Sequence, residues 1–152
     1  MESSMPITNS QQETNHFAIA FAKKLAAPTI VQLEGEMGAG KTCFVRGLCE
    51  GLGGDPRQVS SPTFSIVQEY VVANGNRLVH VDAYRLSGED ELVSIGWDEL
   101  LQDAGAIIAV EWPSRIQKAI PASALLLQIF HVDLHTREIE EVSAQSESGD
   151  NA

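Results

Sequence analysis

The chain has 152 residues, of which 43% are hydrophobic and 20% charged, an ordinary balance for one soluble domain with a real core. Its 21 acids against 10 bases give a net charge of −11, which argues against a free-standing nucleic-acid binder, since phosphate neutralisation needs a basic patch. No apolar run approaches the ~20 residues of a membrane span. The opening Met1-Glu2-Ser3-Ser4-Met5-Pro6 has neither the basic nor the apolar region of a secretion signal, so a cytoplasmic protein is expected.

In chain order, Ser10-Gln11-Gln12-Glu13 fits a capping box, with Ser10 as cap and Glu13 reaching back. A helix of about 15 residues is predicted after it, with Phe17, Phe21 and Leu25 on one face. Thr29 to Glu34 is apolar and β-branched and reads as a strand. Gly35-Glu36-Met37-Gly38-Ala39-Gly40-Lys41-Thr42 follows, a full match to the phosphate-loop pattern G-x-x-x-x-G-K-[ST]. Phe44, Val45, Leu48 and Leu52 then recur at helical spacing. Strand, glycine loop and helix are the setting this motif requires. Cys43 and Cys49 fall on different faces of that helix and cannot pair within it. They read as small buried or half-buried thiols.

Glycines let a backbone curl so that successive N–H groups point at a polyphosphate. The helix start adds its dipole and unpaired N–H groups. Lys41 supplies a point charge for the outer phosphates, and the Thr42 hydroxyl is a hard oxygen ligand for magnesium.

Residues 55–62 read as loop, broken by Pro56 and Pro62. Thr63 to Val72 and Arg77 to Tyr84 read as strands joined through the turn signal Asn74-Gly75. Residues 87–104 suggest short helical pieces broken at Gly96. Ala106 to Glu111 is a continuous apolar run ending in an acid, the pattern of a central parallel strand. Leu125 to Leu134 and Thr136 to Ser143 read as a closing pair of strands. The expected fold is α/β, a P-loop NTPase-like, mostly parallel sheet flanked by helices with antiparallel additions. The expected organisation is one ATPase domain over 1–144 and a polar, disordered tail over 145–152.

A phosphate-loop enzyme needs a second carboxylate near magnesium at the end of a strand beside the loop. Asp82 and Glu111 both end predicted strands, and Glu111 has the more central one; an acid at a strand end is also commonly only solvated. Thr63, in Ser61-Pro62-Thr63, sits where nucleotide switches place a threonine that senses the outer phosphate, although a turn that caps a strand uses the same residue types. Trp112 follows Glu111 and either packs on nucleotide or belongs to the core. His80 shares a strand face with Asp82, and a packing histidine is the favoured reading over a metal ligand. Arg85, Arg115 and Arg137 are the spare arginines of the second half. No Asn-Lys-x-Asp run for guanine occurs, which favours ATP.

Together these segments resemble the TsaE (YjeE) family. Residues 35–42 resemble its G-[DE]-[LM]-G-A-G-K-T. Ser61-Pro62-Thr63-Phe64 is similar to its S-P-T-[FY], His80-Val81-Asp82-Ala83-Tyr84-Arg85 to its H-x-D-x-Y-R, and Val110-Glu111-Trp112-Pro113 to its V-E-W-[PS]. The N-terminal Ser10, Glu13 and Thr14 also fit. The departures are Glu36, where Asp is commoner, and Cys43, where a second Thr is frequent. The resemblance implies a weak ATPase that works with TsaD and TsaB to place threonylcarbamoyl on the adenosine next to the anticodon in tRNA. It implies that Lys41 and the loop Gly35, Glu36, Met37, Gly38, Ala39 and Gly40 hold the phosphates of ATP. It further implies that Thr42 and Glu111 bind Mg2+, that Asp82 assists hydrolysis, that Thr63 belongs to a switch, and that Thr14 and Trp112 lie near the nucleotide. Tight tRNA binding by the chain alone is not expected, nor is membrane association. Two rival readings are a small-molecule kinase, which would need an arginine-bearing lid, and a non-catalytic nucleotide-gated binding module.

Overall fold

The computed structural model describes residues 7–35, 41–59, 66–133 and 136–142. In chain order the elements are β1 (Ile7–Thr8), α1 (Gln11–Ala22), β2 (Thr29–Glu34), α2 (Lys41–Gly51), β3 (Val67–Val71) and β4 (Arg77–Asp82). There follow α3 (Trp97–Leu101), β5 (Ala106–Glu111), β6 (Leu125–His131) and β7 (Arg137–Val142), with short 3-10 turns between. The strands form one sheet in the order β1-β7-β6-β2-β5-β4-β3. Its middle four strands, β6, β2, β5 and β4, are parallel neighbours. β3, β7 and β1 add to them antiparallel.

The expected α/β sheet is therefore present, with one adjustment. The second strand of the 67–82 hairpin, β4, runs parallel to β5, and within the hairpin it is β3 that forms the antiparallel extension. β1, a two-residue strand that no sequence pattern suggested, caps the opposite end. The proposed tail 145–152 lies outside the described residues, as does the front of the expected 63–72 strand up to residue 65.

Local rules account for the element ends. Ser10 Oγ accepts from Glu13 N–H at 3.1 Å, while Glu13 Oε1 accepts from Asn9 N–H at 2.7 Å. The glutamate reaches back one residue further than a standard capping box. Asn74 and Gly75 take φ of 65° and 74° in the turn between β3 and β4, the left-handed conformations such hairpin turns demand. Gly96, at φ 72°, separates the turn Glu89–Ile95 from α3.

Two apolar layers sandwich the sheet. On one face α1 and α2 pack over Val31 and Leu33 of β2, Ile107 and Ala109 of β5, and Leu127, Ile129 and Ile139 of the far strands. On the other face Val79, Val81, Ile108 and Val110 meet Leu86, Leu92, Trp97, Leu100 and Ile116. Every residue of β5 is buried, as a strand covered on both faces requires. That second layer draws no residue from β6 or β7.

α2 is held to α1 at very close range. A Cβ on Gly47 would lie 2.5 Å from Ala18 Cβ and 2.9 Å from the Asn15 carbonyl oxygen, and one on Gly51 would lie 2.8 Å from Ala22 Cβ. Glycine opposite alanine, repeated one turn later, lets the two backbones touch. Alanine normally favours a helix interior over glycine by ~1 kcal/mol. Here overpacking, typically about 1–3 kcal/mol, should win, so Gly47→Ala is expected to lower the denaturant midpoint. A midpoint equal to or above that of the parent would contradict this packing.

Candidate functional site

Parallel pairing sets three strand ends in a row. Leu33 of β2 pairs with Glu111 of β5, and Glu111 pairs with Asp82 of β4. Paired residues share a face, and Leu33 belongs to the layer under α1 and α2. Glu111 and Asp82 therefore project to the side from which α2 begins. The glycine-rich segment leaves β2 at Gly35 and enters α2 at Lys41.

Lys41 is 5% exposed, in the first turn of α2. Its Nζ donates to the Gly35 carbonyl at 2.5 Å and lies 3.9 Å from the centroid of the Trp112 ring. The lysine thus joins the end of β2 to the residue that follows β5. Thr42, next on α2, is half-buried. Glu36, Met37, Gly38, Ala39 and Gly40 lie outside the described residues, and so does Thr63.

Glu111, 7% exposed, meets His80, 1% exposed. His80 Nε2 is 2.6 Å from Glu111 Oε2. An ionised carboxylate only accepts, so Nε2 carries the hydrogen. Among the described residues His80 Nδ1 has no hydrogen-bond partner. The sequence reading favoured a cross-strand packing histidine, without naming its partner. The register supplies it: His80 pairs with Ala109, two residues before Glu111, on the same face. The neighbouring strand was not evident from sequence, and so neither was this contact.

Asp82 Oδ1 accepts from the Tyr84 N–H at 3.2 Å, and Arg85 Nε lies 3.7 Å from Asp82 Oδ2. The aspartate caps the turn Ala83–Arg85 and keeps Arg85 close. Trp112 takes φ 59° and ψ 52°, a left-handed conformation that costs a non-glycine residue roughly 1–2 kcal/mol. Its ring packs against Tyr84 in a tilted arrangement, with centroids 5.0 Å apart and 47° between the planes, and the Arg115 guanidinium lies 5.0 Å from the Tyr84 centroid. Arg115, Tyr84, Trp112 and Lys41 make a continuous cation–aromatic column. From sequence Tyr84 was noted only as the Tyr of the H-x-D-x-Y-R resemblance, with no role of its own; its place two residues after the end of β4 is what brings it to Trp112.

The remaining candidates fall elsewhere. Thr14, 2% exposed, has its hydroxyl 2.6 Å from that of Thr8, tying α1 to β1. The start of α1 lies beside the start of α2, where Cys43 Sγ is 3.8 Å from the Gln11 carbonyl. Burial pushes the Cys43 thiol up from its ordinary pKa, against the pull of Arg46 and Arg137. Arg137 donates to the Asp133 and Thr136 carbonyls at the turn between β6 and β7. Among the described residues no helix is long and apolar enough to cross a membrane.

A family model described as Threonylcarbamoyl adenosine biosynthesis protein TsaE matches residues 8–139. The chain belongs to the TsaE family. This TsaE-family chain is 34% identical over 133 residues to the tRNA threonylcarbamoyladenosine biosynthesis protein TsaE of Rickettsia bellii, covering 88% of this chain and 90% of that one. It is 38% identical over 134 residues to the protein of the same name from Bacillus subtilis, covering 87% and 80%. Its fold superposes on the crystal structure of Bacillus subtilis YdiB with a TM-score of 0.72 at 28% identity, covering 96% of this chain and 88% of that one.

The left-handed Trp112 in this TsaE-family site generates a backbone test. Both Trp112→Gly and Trp112→Ala lose the ring and its contacts, but only glycine is relieved of the conformational cost. The glycine variant should be more stable than the alanine variant by about 1 kcal/mol in chemical denaturation. Equal stabilities, or a more stable alanine variant, would rule out the left-handed geometry.

Proposed function

We propose that this chain binds ATP with magnesium at the 35–42 segment, hydrolyses it slowly by itself, and acts with TsaD and TsaB homologues. The product of that pathway is threonylcarbamoyladenosine beside the anticodon in tRNA. The observation that carries this reading is the placement of Lys41. A buried ammonium stands at a strand-to-helix junction whose sequence is a full phosphate-loop motif, with Glu111 and Asp82 on the adjoining strand ends.

In this reading the backbone of Gly35 through Gly40 and the Lys41 ammonium hold the phosphates, and the first turn of α2 adds its N–H groups. Lys41 exchanges its contact with the Gly35 carbonyl for phosphate oxygens. Thr42 and Glu111 hold magnesium. Among the described residues no group of three or more His, Cys, Asp or Glu could hold a metal. Magnesium fits a pair of oxygen ligands nonetheless, because it keeps several waters and takes the rest of its shell from phosphate. When bound, the ion offsets the charge that develops on the phosphates. His80 fixes Glu111 through Oε2, so Oε1 is the oxygen left for the ion. Asp82 orients the attacking water, and Trp112, Thr63 and Thr14 border the nucleotide.

Hydrolysis is favoured over a kinase by the arginines. Arg85 stands against Asp82, Arg115 donates to the Leu86 carbonyl at 3.3 Å, and Arg137 serves its own turn. Each has structural contacts on the body of the domain, whereas a kinase would need several arginines on a lid.

Lys41→Ala should lose ATP binding by calorimetry while still unfolding cooperatively. Asp82→Asn, which keeps a capping side chain, should bind ATP and lose turnover. Glu111→Ala should weaken binding only when magnesium is present. Parent-like ATP affinity in Lys41→Ala would refute the phosphate site, and full turnover in Asp82→Asn would return that residue to its capping duty alone.

A further inference from the structure

Among the described residues, the face of the sheet opposite α1 and α2 is only half covered. Over β3, β4 and β5 it carries the second apolar layer, but that layer stops short of β6 and β7. Strand alternation places Gln32 and Glu34 of β2 on this face, beside Leu126, Gln128 and Phe130 of β6. Their β7 partners are Val142, Glu140 and Glu138, and Ile7 of β1 lies opposite Glu138. Ile7 is 55% exposed and Phe130 41%. Apolar side chains thus alternate with carboxylates over this part of the sheet.

Where the open half meets the turn Pro113–Ala119 there is a cavity of about 140 Å³. Gln32, Glu34 and Gln117 are its polar lining, and Ile120, Leu126 and Val142 line its apolar side. Among the described residues, no basic residue lines it. Its volume is well below the ~300 Å³ at which small-molecule sites begin, so it suits one side chain. Gln32 is 8% exposed. Glu34 accepts from Gln128 Nε2 through Oε1, which leaves its second oxygen for another donor. The half-used Glu34 carboxylate can therefore accept from a further donor at this cavity.

We propose that this open sheet face and its cavity dock a protein partner, which seats an arginine or lysine against Glu34 and Gln32 and lays apolar residues on Phe130 and Ile7. The stem of such a side chain is apolar and its head is a multiple donor, which matches both linings. Charge removes the other occupants. Nucleic acid would be repelled by Glu34, Glu138 and Glu140. A second copy docked by two-fold symmetry would set the same acids against each other. The chain's own segment 143–152 contains Glu147 and Asp150 and no base. The position also has a consequence for the phosphate loop. Glu34 is the last residue of β2, and the next residue, Gly35, holds Lys41. A partner seated on Glu34 therefore grips the strand from which the loop departs.

This inference rests on the proposed function for the identity of the partner used in its test. The parent chain, Glu34→Gln and the double variant Glu138→Lys/Glu140→Lys are titrated against the purified TsaD–TsaB pair at ~0.15 M salt, with ATP affinity and thermal unfolding measured alongside. Each variant should bind the pair at least about tenfold more weakly, and the double variant should keep the parent's ATP affinity. Should Glu34→Gln unfold, the double variant decides the matter. Parent-like binding of the pair by the folded variants would overturn the docking face and leave the nucleotide site intact. No binding of the pair by the parent chain would overturn both the partner assignment and this face.

Discussion

Everything at the candidate site depends on the register of three parallel strands. Because Leu33, Glu111 and Asp82 stand side by side, the loop after β2, the acid at the end of β5 and the acid at the end of β4 reach the same edge of the sheet. A slip of one residue in β5 would turn Glu111 to the other face and bury it among Val81 and Ile116. The register is strongly specified because β5 is buried on both faces. The core that stabilises the fold and the geometry that aligns the carboxylates are thus the same set of contacts.

Three contacts then tie that edge together. Lys41 bridges the Gly35 carbonyl and the Trp112 ring. His80 holds Glu111 from the neighbouring strand. Trp112 accepts an unfavourable backbone conformation and gains contact with both Lys41 and Tyr84. The close approach of α1 to α2 through Gly47 and Gly51 fixes the helix that carries Lys41 and Thr42. Each contact uses residues from different parts of the chain, so the site exists only once the sheet has formed.

Much of this was legible in the sequence. β2 was read to its first and last residue, because a short apolar run before a glycine motif has few other readings. β5 was recognised as central because an uninterrupted apolar run must be covered on both sides. The break at Gly96 and the turn at Asn74-Gly75 followed from residues that tolerate positive φ. What could not be read was lateral. Nothing in a single sequence states that β4 lies beside β5, and so the His80–Glu111 and Tyr84–Trp112 contacts were hidden. The two-residue β1 is too short to show a period. The uncovered half of the sheet was equally invisible, since it depends on which strands the turns after β4 and β5 fail to reach.

The central claim is that the phosphate-loop segment and the end of β5 form one nucleotide site. Trp112 reports on it most directly, because its ring lies against Lys41. Trp97, buried with its indole N–H donating to the Ala119 carbonyl at 3.1 Å, is the confounding fluorophore and is removed as Trp97→Phe. Adding ATP and magnesium to that folded protein should give a saturable change in Trp112 emission, with the same midpoint as the heat of binding. A flat emission signal across a titration in which calorimetry records ATP binding would contradict the claim.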